Sequence, residues 1–211
     1  TRDGKFYSGE TAKPRRSDIV ASREDIAAMV EAVKKLKTQA DVAIVSFHWG
    51  LSFSPMDLAV YQREVGHAAV DAGADLVLGH HPHILKAVEH YKDKVIFYSI
   101  GNFAFDHNTP LSANAQALYP GYKVEPGYEG YRFGADSRKT VIVKCLFSEK
   151  RIRKISVLPT YINGMAKPQI LKRDDPRFAE AQRRRVVARQ RAASARMSSR
   201  AWRILSSNSV S

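Results

Sequence analysis

Two short apolar runs that end at or directly before histidine constrain the fold of this chain more than any other feature. The runs, residues 42–48 and 75–79, are rich in the β-branched and aliphatic residues typical of buried strands. Between them, residues 57–72 carry apolar side chains at helical spacing, and Gly73 suits the position after a helix end. A strand, a helix and a strand joined by short links favour parallel pairing through a right-handed crossover. The pattern therefore predicts an α/β fold.

Four histidines are predicted to meet at one edge of this sheet. The carboxyl ends of parallel strands lie along the same edge, which is where open α/β sheets bind ligands. We therefore expect His48, at the end of the first strand, to lie close to His80, His81 and His83, which follow the second. Imidazole is a ligand for transition metals, and Pro82 is a rigid spacer between its two neighbours. The cluster predicts a metal site. The alternatives are a group of surface histidines and, for His48, a core residue with satisfied hydrogen bonds.

The rest of the ordered sequence predicts one further helix and two hairpins. Ser22 with Asp25 fits a capping box, and the apolar positions that follow indicate a helix to about residue 37. The predicted hairpins pair residues 84–91 with 95–100 and residues 139–147 with 152–162.

The segment after the first hairpin offers further polar side chains. Asn102 is either a turn residue, because asparagine bonds its own backbone, or a donor or substrate contact beside the histidines. Asp106 is either a ligand or a cap at the start of a loop. The long loop 107–137 contains four tyrosines, which either cover the site or pack the loop down.

The positive charge of the chain is concentrated at one end. The net charge is +13, but residues 176–211 carry nine arginines and one acid, a net +8, and leave +5 for the remaining 175 residues. We expect this tail to be poorly ordered. Nucleic-acid binding through it would be strongly salt-dependent, but aromatic residues are not interleaved with its arginines apart from Trp202, since Phe178 precedes the arginine-rich part. A single cysteine excludes an internal disulfide, and no apolar run reaches the ~18 residues that a transmembrane helix needs.

Three segments resemble the CapA family of capsule or poly-γ-glutamate synthesis proteins. They are VSFHWG at 45–50, DAGADLVLGHHPH at 71–83 and FYSIGNFAFD at 97–106. Their order and spacing match the family, and the resemblance covers about residues 17–178. It implies a calcineurin-like metallophosphoesterase fold, a β-sandwich with flanking helices and with metal ligands at strand ends. By this resemblance the metal ligands would be His48, His81 and His83, and the residues that orient substrate or ligand would be His80 or Asn102.

The resemblance also indicates which parts of the family pattern this sequence does not contain. The Gly-Asp motif after the first strand and the Asn-Asn-His motif of the family do not occur here. We therefore expect the C-terminal part of a CapA-like domain at residues 22–175, between an irregular lead-in at 1–21 and the arginine-rich tail at 176–211. The intact protein would hold a dinuclear site of a divalent transition metal, Mn, Fe or Zn, and this part alone would be inactive.

Two main functions are compatible with the resemblance. The first is a metal-dependent phosphoesterase-type activity in capsule or poly-γ-glutamate biosynthesis, with a phosphoester or an anionic polymer as substrate. The alternative is a non-catalytic assembly or export subunit that binds an anionic polymer, with membrane subunits of capsule synthesis as partners. Nucleic-acid binding through the tail is a minor third hypothesis. The resemblance suggests the cell envelope, membrane-associated or extracytoplasmic, while the residues themselves leave the compartment undetermined.

Overall fold

The computed structural model describes residues 19–54, 57–104, 125–131 and 133–178. Two helices pack beside two sheets within these ranges. A short 3-10 helix, Ala135–Arg138, precedes the second sheet. The elements are α1 (Arg23–Lys37), β1 (Ile44–His48), α2 (Val60–Asp71), β2 (Leu76–His80), β3 (Val88–Tyr91), β4 (Lys94–Phe97), β5 (Lys139–Ser148), β6 (Arg151–Ile162) and β7 (Pro168–Ile170).

The first sheet contains the predicted strand–helix–strand unit. Its strand order is β1-β2-β4-β3, in which β1, β2 and β4 are parallel and β3 is antiparallel to β4. In the register between β1 and β2, His48 lies directly opposite His80. The parallel pairing predicted from the sequence is confirmed, and it brings both histidines to the same edge of the sheet.

The second sheet packs on one face of the first. It has the antiparallel order β5-β6-β7, and its hairpin confirms the second predicted pair of strands. Helices α1 and α2 cover the other face of the first sheet through Val33, Val65 and Ala69, which pack with Val77 and Ile96. The result is three layers, helices, sheet and sheet, which agrees with the predicted α/β class. The core between the sheets consists of Leu76, Val95, Phe97, Val141, Ile155 and Val157.

Helix ends follow the local sequence. Ser22 precedes α1, and its Oγ accepts a hydrogen bond from the amide of Asp25 at 3.2 Å. Helix α2 begins at Val60, three residues later than predicted. Ala59, the residue before the helix, has no side chain that can cap it. The cap comes from Gln62, whose Oε1 accepts a hydrogen bond from the amide of Ala59 at 2.9 Å. Gly73 has φ +113°, which confirms its predicted position after the helix.

A glycine allows the central strands to approach the indole ring of Trp49. The Trp49 Nε1 atom donates to the carbonyl oxygen of Tyr98 at 3.0 Å, directly over Gly79. A Cβ atom on Gly79 would lie 2.3 Å from that carbonyl oxygen and 2.4 Å from Nε1. Only glycine therefore fits at the position immediately before the histidine cluster.

Three predictions differ from the structure in detail. Residues 84–87 are not a regular strand: Leu85 forms an isolated bridge with Ile100, and β3 begins at Val88. Two features interrupt the strand: His83 has a positive φ of 58°, and the side chain of Lys86 turns into the body of the protein, where it binds carbonyls distant in sequence. Strand β4 is correspondingly shorter than predicted, and the three-residue strand β7 was not predicted.

Several predictions lie outside the described residues. They concern Asp106, two of the loop tyrosines, most of the lead-in and the tail from residue 179 onward. In the described ranges, no helix is both long enough and apolar enough to cross a membrane.

Candidate functional site

The histidines converge as the parallel topology predicts. Nδ1 of His81 lies 2.9 Å from Nε2 of His48, although 33 positions separate the two residues in sequence. The ring centroids of His81 and His83 are 6.0 Å apart. The cause is the sheet register, which places His48 beside His80 and continues for one further hydrogen bond, from the amide of Trp49 to the carbonyl of His80 at 3.1 Å. The predicted convergence is confirmed, whereas the role of these residues as ligands stays a prediction.

The backbone of the His81–His83 segment has an unusual conformation. His81 has φ +92° and His83 has φ +58°, and the buried Pro82 lies between them. Positive φ is uncommon for residues other than glycine, although histidine adopts it more readily than bulky apolar residues do. A hydrogen bond from the amide of Phe53 to the carbonyl of Pro82, at 3.0 Å, holds the turn against the loop that follows β1.

Both ring nitrogens of His81 have partners. The side of the ring opposite His48 faces Ser52, whose Oγ lies 3.0 Å from Nε2. Burial lowers the pKa of His81, and the neighbouring His48 and His83 lower it further. The pKa of His80 is lowered first by burial and then by His48, its partner in the adjacent strand. These shifts favour the neutral imidazole, which is the form that binds a metal ion.

Asn102 contacts the histidine cluster through His83. It is buried, and its Oδ1 lies 2.9 Å from Nδ1 of His83. Its Nδ2 donates to the hydroxyl of Tyr131 at 2.7 Å, and that hydroxyl donates to the carbonyl of Ser137 at 2.7 Å. Of the two alternatives for Asn102, the structure therefore shows the contact with the histidines. Its role in orienting substrate stays a prediction.

Two phenylalanines flank His83. The ring of Phe53 is stacked on His83 with centroids 5.5 Å apart, and Phe133 is stacked on it at 5.1 Å. The ring centroids of Phe133 and Tyr131 are 5.4 Å apart. The sequence analysis did not identify these rings or Ser52, because nothing in their local pattern indicates which loop positions fold back onto the site.

A buried lysine supports the loop that carries Ser52 and Phe53. Lys86 is only 4% exposed, and its Nζ donates to the carbonyl of Ser54 and, at 2.8 Å, to the carbonyl of Asp57. Burial lowers the pKa of Lys86 to about 8, and the nearby Asp57 opposes this shift. The sequence gives no signal for this role, because lysine is normally a surface residue.

The remaining described histidines stand apart from the site. His67 packs on Tyr91, with ring centroids 3.7 Å apart, and its Nε2 lies 3.1 Å from the carboxylate of Glu89. His90 is exposed on β3.

The donor geometry is compatible with a transition-metal ion. Two imidazole nitrogens bound to one ion at about 2.0–2.1 Å each stand about 3 Å apart. The separation of 2.9 Å between His48 Nε2 and His81 Nδ1 matches this spacing. The residues with described positions contain no group of three or more His, Cys, Asp or Glu side chains placed to hold one ion. The two converging imidazoles therefore fit part of a coordination sphere.

Comparisons with known proteins identify similar sequences. Residues 2–107 match the family model described as "Bacterial capsule synthesis protein PGA_cap". The chain is 39% identical over 100 residues to the "PGA biosynthesis protein CapA" of Bacillus subtilis (strain 168), a match that covers 46% of this chain and 25% of that protein. It is 35% identical over 105 residues to the "Capsule biosynthesis protein CapA" of Bacillus anthracis, covering 48% and 25%.

A third relative is a protein of Mycobacterium tuberculosis. The chain is 36% identical over 98 residues to the "Probable polyglutamine synthesis accessory protein" of Mycobacterium tuberculosis (strain CDC 1551 / Oshkosh), covering 44% of this chain and 23% of that protein. The chain thus spans about a quarter of the length of these curated relatives.

Proposed function

The chain belongs to the family of the bacterial capsule synthesis protein PGA_cap, and from this membership we propose that it contributes a metal-binding, phosphoesterase-type site to capsule or poly-γ-glutamate synthesis. The names of its relatives, a PGA biosynthesis protein and a capsule biosynthesis protein, support the polymer. The observation that carries the metal site is the 2.9 Å approach of His81 Nδ1 to His48 Nε2 at the edge of a parallel sheet.

We propose His48, His81 and His83 as ligands for divalent Mn, Fe or Zn. His48 and His81 converge on one position, whereas no three described His, Cys, Asp or Glu side chains surround a single ion. When bound, such an ion polarises a phosphoryl oxygen and lowers the pKa of a bound water. For Nδ1 of His81 to bind the ion, Nε2 must carry the hydrogen, and Ser52 Oγ, 3.0 Å from Nε2, is placed to accept it. Asn102 holds the ring of His83 in the same way from its Nδ1 side. Such supporting contacts orient ligand rings and raise metal affinity.

Substrate contacts are proposed for the polar groups that border the rings. His80 is partly buried beside His48 and faces the same side of the sheet, so it can contact a phosphoester or a carboxylate polymer held at the cluster. Asn102 acts on the substrate through His83, because both of its amide atoms are already engaged.

Metal binding by matched variants tests the proposal. Co²⁺ is titrated into the protein and its absorption is followed, with elemental analysis for Mn, Fe and Zn on the protein as purified. We expect His48→Ala and His81→Ala each to weaken Co²⁺ binding by at least about 10-fold, because each removes a ligand. The control is His90→Ala, an exposed histidine on β3, which should bind as the wild type does. Equal binding by the wild type and a His48→Ala/His81→Ala double variant would overturn the proposal.

The alternative function is a non-catalytic subunit of polymer assembly. The word "accessory" in the name of the Mycobacterium tuberculosis relative favours it. A phosphodiester screen with bis(p-nitrophenyl) phosphate separates the two functions. Hydrolysis that requires added metal and His81 supports the enzyme. Metal binding without hydrolysis, together with binding of poly-γ-glutamate, supports the assembly subunit.

A further inference from the structure

A chain of hydrogen bonds from Ser137 to His83 has only one consistent polarity. The carbonyl oxygen of Ser137 can only accept, so the hydroxyl of Tyr131, 2.7 Å away, donates to it. The hydroxyl oxygen of Tyr131 then accepts from Asn102, at 2.7 Å, and this contact must come from the Nδ2 amide group. The carbonyl oxygen of Asn102 is thereby directed at His83, 2.9 Å from Nδ1. An acceptor at that distance requires a hydrogen on Nδ1.

The burial of this chain keeps its polarity fixed. Tyr131 is 0% exposed, Ser137 1% and Asn102 7%, so bulk water does not replace these partners. If the amide of Asn102 turned over, its oxygen would face the oxygen of Tyr131. The hydroxyl could relieve that contact only by abandoning the Ser137 carbonyl, and a buried carbonyl that loses its hydrogen bond is unfavourable. The orientation of Asn102 is therefore set by Tyr131 rather than by His83.

We propose that Tyr131 is a positioning residue that fixes the hydrogen of His83 on Nδ1 and so places the lone pair of the imidazole on Nε2. Which ring nitrogen of a neutral histidine carries the hydrogen is set by the hydrogen bond that the ring makes. Tyr131 acts on the His83 ring only through Asn102, which stands between them in the chain of hydrogen bonds. In this role Tyr131 contacts neither ion nor substrate. The functional consequence rests on the proposed metal site: Nε2 of His83 is then the atom offered to an ion or to a proton of the substrate.

The tautomer can be measured directly. Long-range ¹⁵N–¹H spectra of the imidazole rings distinguish a protonated from an unprotonated ring nitrogen. They are recorded with a chelator present and at about pH 8.5, above the ordinary pKa of histidine. The His83 signal is identified by its loss in His83→Gln. We expect hydrogen on Nδ1 in the wild type and a shift toward hydrogen on Nε2 in Tyr131→Phe, which keeps the ring that packs on Phe133.

A control and a rescue separate this role from a general loss of structure. Tyr128→Phe removes a hydroxyl from the same loop, one that lies 3.4 Å from the hydroxyl of Tyr161, and should leave the His83 tautomer unchanged. Asn102→Asp in the Tyr131→Phe background presents an oxygen to Nδ1 in either orientation, so it should restore hydrogen on Nδ1. Hydrogen on Nε2 in the wild type, or an unchanged Nδ1–H signal in Tyr131→Phe, would overturn the proposal. If Tyr131→Phe does not fold, the wild-type spectrum and Asn102→Leu, which deletes the acceptor, decide it in the same way.

Failure of the tautomer proposal is distinguishable from failure of the metal proposal. We expect Tyr131→Phe to weaken Co²⁺ binding about 10-fold, as loss of supporting contacts around a metal ligand does. A wild type that binds no Co²⁺ refutes the metal site and leaves the spectra to decide the tautomer. A wild type that binds Co²⁺ with hydrogen on Nε2 of the metal-free His83 ring refutes the role of Tyr131 alone.

Discussion

Gly79→Ala is the substitution whose effect the structure defines most sharply. The added methyl would lie 2.3 Å from the carbonyl oxygen of Tyr98 and 2.4 Å from Nε1 of Trp49, far inside contact distance. Neither neighbour can move freely, because Tyr98 is 0% exposed and Trp49 is 5% exposed in the core beneath the helices. The methyl therefore breaks the 3.0 Å hydrogen bond between the indole and that carbonyl.

The cost can be estimated from its two parts. A buried donor or acceptor left without a partner costs about 1–3 kcal/mol. Inserting a methyl group into a packed core costs about another 1–3 kcal/mol. We expect Gly79→Ala to lower the free energy of unfolding by about 4 kcal/mol, a large share of the roughly 5–15 kcal/mol that a folded domain has. Urea denaturation followed by far-UV circular dichroism measures the change, provided that the slope with denaturant is unaltered.

A second glycine beside the same tryptophan is the matched control. Gly66 on α2 also packs on Trp49, but a Cβ there meets its nearest side-chain atoms, on Trp49 and Ile96, only at 3.4 Å. Gly66→Ala should therefore leave stability unchanged or raise it by up to about 1 kcal/mol, because alanine favours helix. If Gly79→Ala unfolds at the wild-type urea concentration, or if both variants lose the same stability, the close approach over Gly79 does not explain why glycine is required there.

Two further predictions concern charged groups. Burial alone would raise the pKa of Asp75, but hydrogen bonds from Lys94, from the Ala43 amide and from Lys37 outweigh it and lower the pKa below its ordinary value of 3.8. The ionised carboxylate thus stabilises the fold above about pH 4, and this contribution is lost as the pH falls. The thermal unfolding temperature of Asp75→Asn should therefore depend less on pH between about pH 5 and pH 2 than that of the wild type. The same pH dependence in both proteins would contradict this. Lys86→Met removes the donor to the carbonyls of Ser54 and Asp57, at a cost of about 0.5–1.5 kcal/mol for each hydrogen bond. Hydrogen exchange in residues 51–54 should accelerate while exchange in β6 does not, and uniform acceleration would mean global destabilisation instead.

The layout of the first sheet was predictable because its signals are local. Short apolar runs, a helical repeat between them and Gly73 after the helix were enough to predict β1, α2 and β2 and the parallel pairing of the two strands. Strand β7 was not predictable, because three residues carry no periodic pattern and its pairing with β6 depends on the turn before it. The irregular residues 84–87 were assigned to a strand for a related reason: their apolar pattern is that of a strand, but Lys86 has its carbonyl partners more than 25 positions away.

The meeting of the histidines was predictable, whereas the groups that orient them were not. His48 and His81 follow from the rule that parallel strands end at one edge, which requires no knowledge of loops. Ser52, Tyr131 and Phe133 reach the same edge from loops whose paths depend on the finished packing. Tyr131 illustrates the difference, because the sequence left its role open between covering the site and packing, and its hydroxyl instead holds Asn102.

Backbone strain is concentrated where the site is held by the most contacts. Of the described non-glycine residues with positive φ, five lie in tight turns and three, Phe53, His81 and His83, lie at the site. Such conformations cost of order 1–3 kcal/mol each and persist only where the surroundings impose them. Here the imposing contacts are visible: the Phe53 amide bonds to Pro82, Ser52 bonds to the ring of one histidine, and Asn102 bonds to the ring of the other. A turn that served only to reverse the chain would not need this support, so we relate the strain to the placement of the two rings, His81 beside His48 and His83 beside Asn102.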